Sequence, residues 1–215
     1  MASTLPGPVR QFGVAARAVV VFTLALGIVY PVAMTGAGQA LFNDNANGSL
    51  VQVDGKNVGS DLIGQPYTRQ VVEKGLPKVD ADGEPVMEAD PHWFQTRPSA
   101  VDYDGLGSSA SQLGPNNEDL VAAIQQRRTT VAALEGVRPE DVPADALTAS
   151  GSGLDPQISP EYAAIQVSRV ARERGLDAGR LHELVDQHTK GRVLGFLGEP
   201  RVNVVELNAE LAGMG

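Results

Sequence analysis

The chain has 215 residues, with 26 Asp and Glu against 17 Lys and Arg, and a formal net charge of −9 at pH 7. That balance disfavours nucleic acid and anionic membrane surfaces as partners, because surfaces of like charge repel. Cysteine is absent, which excludes disulfides, thiolate catalysis and Cys-ligated metals without identifying a compartment.

The first element is an uncharged run from Ala18 to Asn43, preceded by Arg10 and Arg17, the only charged side chains before Asp44. As a helix, its apolar body of about 23 residues would reach ~35 Å and cross a hydrocarbon core of ~30 Å. It exceeds a signal-peptide core of roughly 7–15 residues, so an uncleaved anchor is expected over a signal cleaved near Gly38 and Ala40. Lys and Arg are retained on the cytoplasmic side. Residues 1–17 therefore read as a cytoplasmic tail, 18–42 as a transmembrane helix in the cell membrane, and 43–215 as one extracytoplasmic domain. Pro31 lacks a backbone donor and should kink the helix about midway. Gly36 and Ala40 have small-xxx-small spacing with Thr35 and Gly38 beside them, a surface another helix could approach closely; a lipid-facing anchor is the plainer alternative.

All 26 acidic residues follow the span, with every basic residue except Arg10 and Arg17, so that part carries a formal charge of −11. Its roughly 170 residues suffice for one core. Asn43 to Gly48 is a turn-rich exit. Ser49 to Asp54 alternates, Asp54-Gly55 signals a turn, and Val58 to Ile63 could return as a short hairpin. Residues 73–91 hold three prolines, several acids and no sustained period, which predicts a surface loop. Glu118 to Gly136 has helical spacing at Leu120, Val121, Ile124, Val131 and Leu134, with Asn116 or Asn117 as N-cap. Pro139 to Leu147 predicts another short helix. Ser159-Pro160-Glu161 opens a helix expected to stop at Gly175. The next spans Asp177 to Thr189, with Leu181, Leu184 and Val185 inward. Arg201 to Leu207 alternates as a strand would. The fold class is α+β: one N-terminal transmembrane helix, then a domain with a small β-sheet and several helices.

Two polar, glycine-bearing segments stand out, Arg97 to Asn117 and Thr148 to Pro156. Their N–H groups and hydroxyls could hold an anion, although no Walker loop is present and positioning of helices is the commoner use. His182 and Asp186 could share a helix face, but two ligands fall short of a closed metal site. Scattered Ser, His and Asp leave an anchored hydrolase as a weak reading, since Ser150-Gly-Ser-Gly lacks the Gly-x-Ser-x-Gly elbow. Arg97 could pair with a carboxylate or bind an anion.

A set of short motifs becomes specific when taken in order. They are Ala46-Asn47-Gly48-Ser49-Leu50, Gly59 to Gln65, Arg97-Pro98-Ser99-Ala100, Leu113-Gly114-Pro115-Asn116, Ala149 to Pro156, Gly198 to Val204 and Leu207-Asn208. Behind a single N-terminal span, this series closely resembles the C subunit family of the bacterial Kdp potassium-transporting P-type ATPase. The resemblance implies a non-catalytic accessory subunit with two partners besides the lipid bilayer: a channel-like potassium-selective subunit and a P-type ATPase subunit. The complex uses ATP, Mg2+ and K+; no cofactor of this chain's own is implied. The family's Ser-Gly-Gly-Ser-Asn-Leu-Gly-Pro-Thr-Asn stretch, compared with nucleotide-sensing signatures, reads here as Ser108 to Asn117 without the first two glycines. Ser108, Ser109, Ser111, Gln112 and Gly114 are thereby implied as nucleotide-binding candidates. Two roles follow from the resemblance: stabilising assembly and assisting potassium entry, or raising the ATP affinity of the ATPase subunit. The flanking charges favour the first, because they put the motif outside while ATP is inside.

Overall fold

The computed structural model describes residues 6–73 and 75–214 and falls into two compact units, the first ending at Ser49 and the second beginning at Leu50.

In the first unit one helix spans Gly7–Leu41, made of α1 (Gly7–Leu24), a π-helical turn (Ala25–Val29) and α2 (Tyr30–Leu41). It is long and apolar enough to cross a membrane, and none of its residues is buried. It begins ahead of Ala18, so Arg10 and Arg17 lie on the helix. Pro31 is met by the wider turn just before it, where the Tyr30 N–H donates to Ala25 O. A π-turn accommodates the donor that proline lacks without ending the helix. Phe42 leaves helical geometry at φ −139°, and one further turn, α3 (Asn43–Ala46), follows. Gln39, Asn43 and Asn47 join their side chains there by hydrogen bonds of 3.1 Å, which closes the polar end of the helix.

The second unit opens with the expected hairpin. β1 (Leu50–Val53) pairs antiparallel with β2 (Lys56–Ser60) across Asp54-Gly55, both at positive φ. The segment expected as a loop is instead a narrow β-ribbon. β3 (Thr68–Gln70) pairs with β6 (Met87–Ala89), and β4 (Val72–Glu73) pairs with β5 (Leu76–Pro77). Strands of two or three residues are too short to leave a period in the sequence, and their apolar residues Val72, Leu76 and Met87 stay exposed.

The helical half follows its caps. α4 (Glu118–Glu135) starts at Asn117, whose side chain accepts from the Asp119 and Leu120 N–H groups, and ends at left-handed Gly136. Pro139 to Leu147 is not one helix but two 3-10 turns, Pro139–Asp141 and Ala144–Ala146, because Pro143 interrupts it. β7 (Gln157–Ile158) leads into α5 (Pro160–Arg174), capped by Ser159 and stopped at Gly175. α6 (Ala178–His188) buries Leu181, Leu184 and Val185 as its spacing predicts. β8 (Thr189–Lys190) and β9 (Arg201–Asn203) complete a three-stranded antiparallel sheet in the order β7-β9-β8.

The strand expected through Leu207 stops at Asn203. The Asn203 side chain accepts from the Val205 and Glu206 N–H groups and caps α7 (Val204–Ala212), whose Val204, Leu207 and Leu211 are buried. Arg201 to Val204 alternate, a stretch too short to separate period 2 from period 3.6, and the cap decides it.

The core centres on α5, which packs against α4, α6 and the sheet. An irregular segment, Pro91 to Gln95, which begins in a turn, is bound to it by side chains rather than by strand pairing. Asn208 donates to Phe94 O at 2.9 Å and accepts from Phe94 N at 3.0 Å. Gln166 pairs with Gln95 in the same two-way manner, at 3.2 and 2.6 Å. Arg169, 1% exposed, donates to Pro91 O, Trp93 O and the buried Glu135 carboxylate at 2.6, 2.9 and 2.8 Å.

Candidate functional site

On the helix Gly7–Leu41, Thr35, Gly36 and Ala40 are exposed. Gly38 is half-buried within its own unit, since a Cβ there would lie 3.8 Å from the Ala46 methyl.

In the second unit the two polar segments meet. The Ser109 N–H and the Ser108 hydroxyl both donate to Ser152 O, at 3.0 and 3.1 Å. The Ser99 hydroxyl donates to Gly153 O at 2.7 Å and accepts from the Val101 and Tyr103 N–H groups, so one oxygen closes the turn and ties it to the other segment. Ser111, Gln112 and Gly114 extend beyond this junction and are exposed, with Gln112 at φ +54°. Much of the polar capacity of Ser108 and Ser109 is thus spent on the junction itself.

Gly153 is what lets the segments close. It sits at φ +70°, and a Cβ on it would come within 2.6 Å of Val101 Cγ2 and 2.8 Å of Ser109 O. Left-handed strain and forced displacement add, so Gly153→Ala is expected to destabilise the domain by about 2–4 kcal/mol. A thermal melt of the purified chain checks this.

Several ionisable residues sort into pairs. His92 Nδ1 lies 2.8 Å from Asp90, and His188 Nε2 lies 2.7 Å from Glu210. Partial burial pushes the Asp90 carboxyl up, but hydrogen bonds and charge from His92 outweigh it and hold the group below its usual value. His182 and Asp186 share the exposed face of α6. Arg97 Nη1 meets Asp155 at 3.3 Å and Arg97 Nη2 meets Thr148 O at 3.3 Å. Burial pushes the Tyr103 and Tyr162 hydroxyls up, leaving them neutral donors.

Two features lie outside what the sequence singled out. One is a cleft of about 750 Å3 between α4, the β3–β6 ribbon and the irregular segment Gln95–Ser99. The other is the excursion between β8 and β9, where Gly191 to Pro200 are all exposed. Val193, Leu194, Phe196 and Leu197 are 54, 79, 71 and 49% exposed at its tip. The tip is held by the Val193 N–H donating to Leu197 O at 2.9 Å and by Arg192–Glu199 at 2.6 Å. Leu194 has φ +54°, a left-handed conformation that favours glycine. A run of apolar residues between glycines was the available signal, and it reads equally well as core.

A family profile described as "K+-transporting ATPase, c chain" matches residues 12–213. The chain is 46% identical to the potassium-transporting ATPase KdpC subunit of Streptomyces coelicolor, over 98% of this chain and 96% of that one. It is 47% identical to the KdpC subunit of Kineococcus radiotolerans over 98 and 97%, and 38% identical to that of Gloeobacter violaceus over 96 and 98%. With the match running from the membrane helix to the end of α7, the chain belongs to the KdpC family, the c chain of the K+-transporting ATPase.

Proposed function

We infer that the chain is the accessory, non-catalytic subunit of an ATP-driven potassium-import complex, and that it stabilises the assembly of a channel-like subunit with a P-type ATPase subunit. The observation that carries this reading is the helix Gly7–Leu41, uncharged after Arg17 and buried nowhere against its own chain. An apolar helix with small residues at one end packs well against a neighbouring helix in lipid, and Thr35, Gly36 and Ala40 are the residues assigned to that contact. Arg10 and Arg17 favour a cytoplasmic N-terminus and an extracytoplasmic domain. The acidic domain would then face the side from which potassium enters.

The hairpin tip at Val193–Leu197 is the second contact in this reading, and its occupant is another subunit of the complex. Five residues are too few for a symmetric dimer, which buries about 1,200 Å2 or more. The charges at its base are already matched within the chain, Arg192 with Glu199 and Lys190 with Glu206 at 2.9 Å, so the tip fits an uncharged apolar pocket.

Deleting residues 1–43 tests the reading. The expected result is loss of copurification with the other subunits and of potassium-dependent ATPase activity. Retention of both would overturn it. The alternative, in which Ser108, Ser109, Ser111, Gln112 and Gly114 help the ATPase subunit bind ATP, draws support from the meeting of the two polar segments. Labelling of Ser109→Cys from the cytoplasmic side, with protection in intact cells, is the outcome that would favour it.

A further inference from the structure

The cleft beside α4 has features that a packing defect would not have. α4 carries an apolar stripe, yet Ile124, Val131 and Leu134 are only half-buried, and the last two face the cleft. Met87, Ala89 and Ala123 continue the apolar wall. At its polar edge lie two guanidinium groups. The Arg97 Nη2 group donates to Thr148 O and the Arg127 Nη1 group to Leu147 O, at 3.3 and 3.0 Å, so consecutive carbonyls hold the two arginines side by side.

The Arg97 guanidinium is not fully satisfied. The Nε of Arg97 is buried and has no hydrogen-bond partner, and its ion pair with Asp155 is long at 3.3 Å. Arg127 makes no ion pair among the described residues. Tyr162 contributes to the floor and is 3% exposed. A buried donor left open, as Arg97 Nε is, normally has a partner in the working state. A guanidinium presents a fork that fits the paired oxygens of a carboxylate or a phosphate ester.

Charge limits what can enter. Asp155 partly neutralises Arg97, and Asp102 stands exposed at the cleft wall. With Arg97 and Arg127 already opposed by Asp155 and Asp102 in an otherwise acidic domain, the edge suits at most one added negative charge, held by direct contact, and not the several of a polyphosphate. The volume suits a small organic molecule, since binding sites of that kind occupy roughly 300–1,000 Å3 with apolar walls and few polar anchors.

We propose that this cleft binds a small amphiphilic monoanion, its single carboxylate or phosphodiester head on Arg97 and Arg127 and its apolar body along Val131, Leu134 and Met87. The chain's one tryptophan, Trp93, lies 6.2 Å from the ring of Tyr67 at the cleft wall, which gives an internal reporter.

The full-length chain in phosphatidylcholine nanodiscs would be titrated with octanoate, dibutyl phosphate, inorganic phosphate and ATP, reading Trp93 emission. A saturable response to octanoate or to dibutyl phosphate is expected, and whichever binds identifies the head group. Arg127→Gln should weaken that binding about tenfold, a loss equal to about 1.4 kcal/mol. Ala123→Phe, which fills the cleft from the exposed side of α4, should abolish it in a chain whose melting temperature is unchanged. The proposal is overturned by absence of saturation with both amphiphiles, by equal affinity for ATP or inorganic phosphate, or by affinity unchanged in both variants. The assembly reading stands or falls separately, on copurification.

Discussion

Arg169→Met is expected to lower the stability of the second unit by about 3–5 kcal/mol, because it strands a buried carboxylate. Glu135 reaches the interior only as the partner of Arg169, and its second oxygen already has no hydrogen bond. Burial pushes the Glu135 carboxyl up, with the Arg169 guanidinium pulling it part of the way back. The same arginine also holds Pro91 O and Trp93 O, so its loss unpins the Pro91–Gln95 segment as well. The double variant Glu135→Leu, Arg169→Met separates the two effects. It should recover the charge penalty but not the carbonyls, leaving a deficit of about 1–3 kcal/mol. A thermal melt followed through Trp93 checks both, and a single-variant shift below about 3 °C would contradict the account.

Leu194→Asp with Phe196→Asp is expected to leave the fold intact and to dissociate the complex. Both side chains are exposed, so the domain itself should change by no more than about 0.5 kcal/mol per site. Asp also tolerates the left-handed conformation at 194 better than Leu. Buried apolar anchors at interfaces are typically worth about 2 kcal/mol or more each. Two together should therefore reduce copurification with the other subunits by a hundredfold or more. If the complex survives while the isolated chain loses binding to neutral vesicles, the tip meets lipid instead. Loss of a dimer in sedimentation would assign it to a second copy of the chain.

The sequence made legible whatever rests on a local signal. Ser159 caps the helix it was expected to cap, Asn117 is one of the two caps expected for α4, and Gly136 and Gly175 end these helices, because a cap needs only its own turn. The Asp54-Gly55 hairpin was readable for the same reason. Failures came where the deciding partner is distant. The ribbon within 68–89 depends on pairings between strands of two or three residues. The Arg201–Leu207 alternation was read as a strand because Asn203 was not recognised as a cap. For the site, the two polar segments were visible as segments, but their meeting through Ser152 and Gly153 was not. The Glu135–Arg169 pair left a faint trace: Gln166 and Arg169 interrupt the α5 stripe of Tyr162, Ala163, Val167 and Val170. A polar residue within an apolar stripe is where a buried network is to be looked for. The cleft left none, since its walls come from elements far apart in the chain.

The π-helical turn at Ala25–Val29 has a geometric consequence for the anchor. One extra residue in a single turn advances the following helix by about 100° relative to an uninterrupted one. The face bearing Val14, Ala18 and Val21 is therefore out of phase with the face bearing Thr35, Gly36 and Ala40. A straight helix of this length would offer one neighbour a continuous seam. This one is two-sided, its halves before and after the π-helical turn presenting faces in different directions.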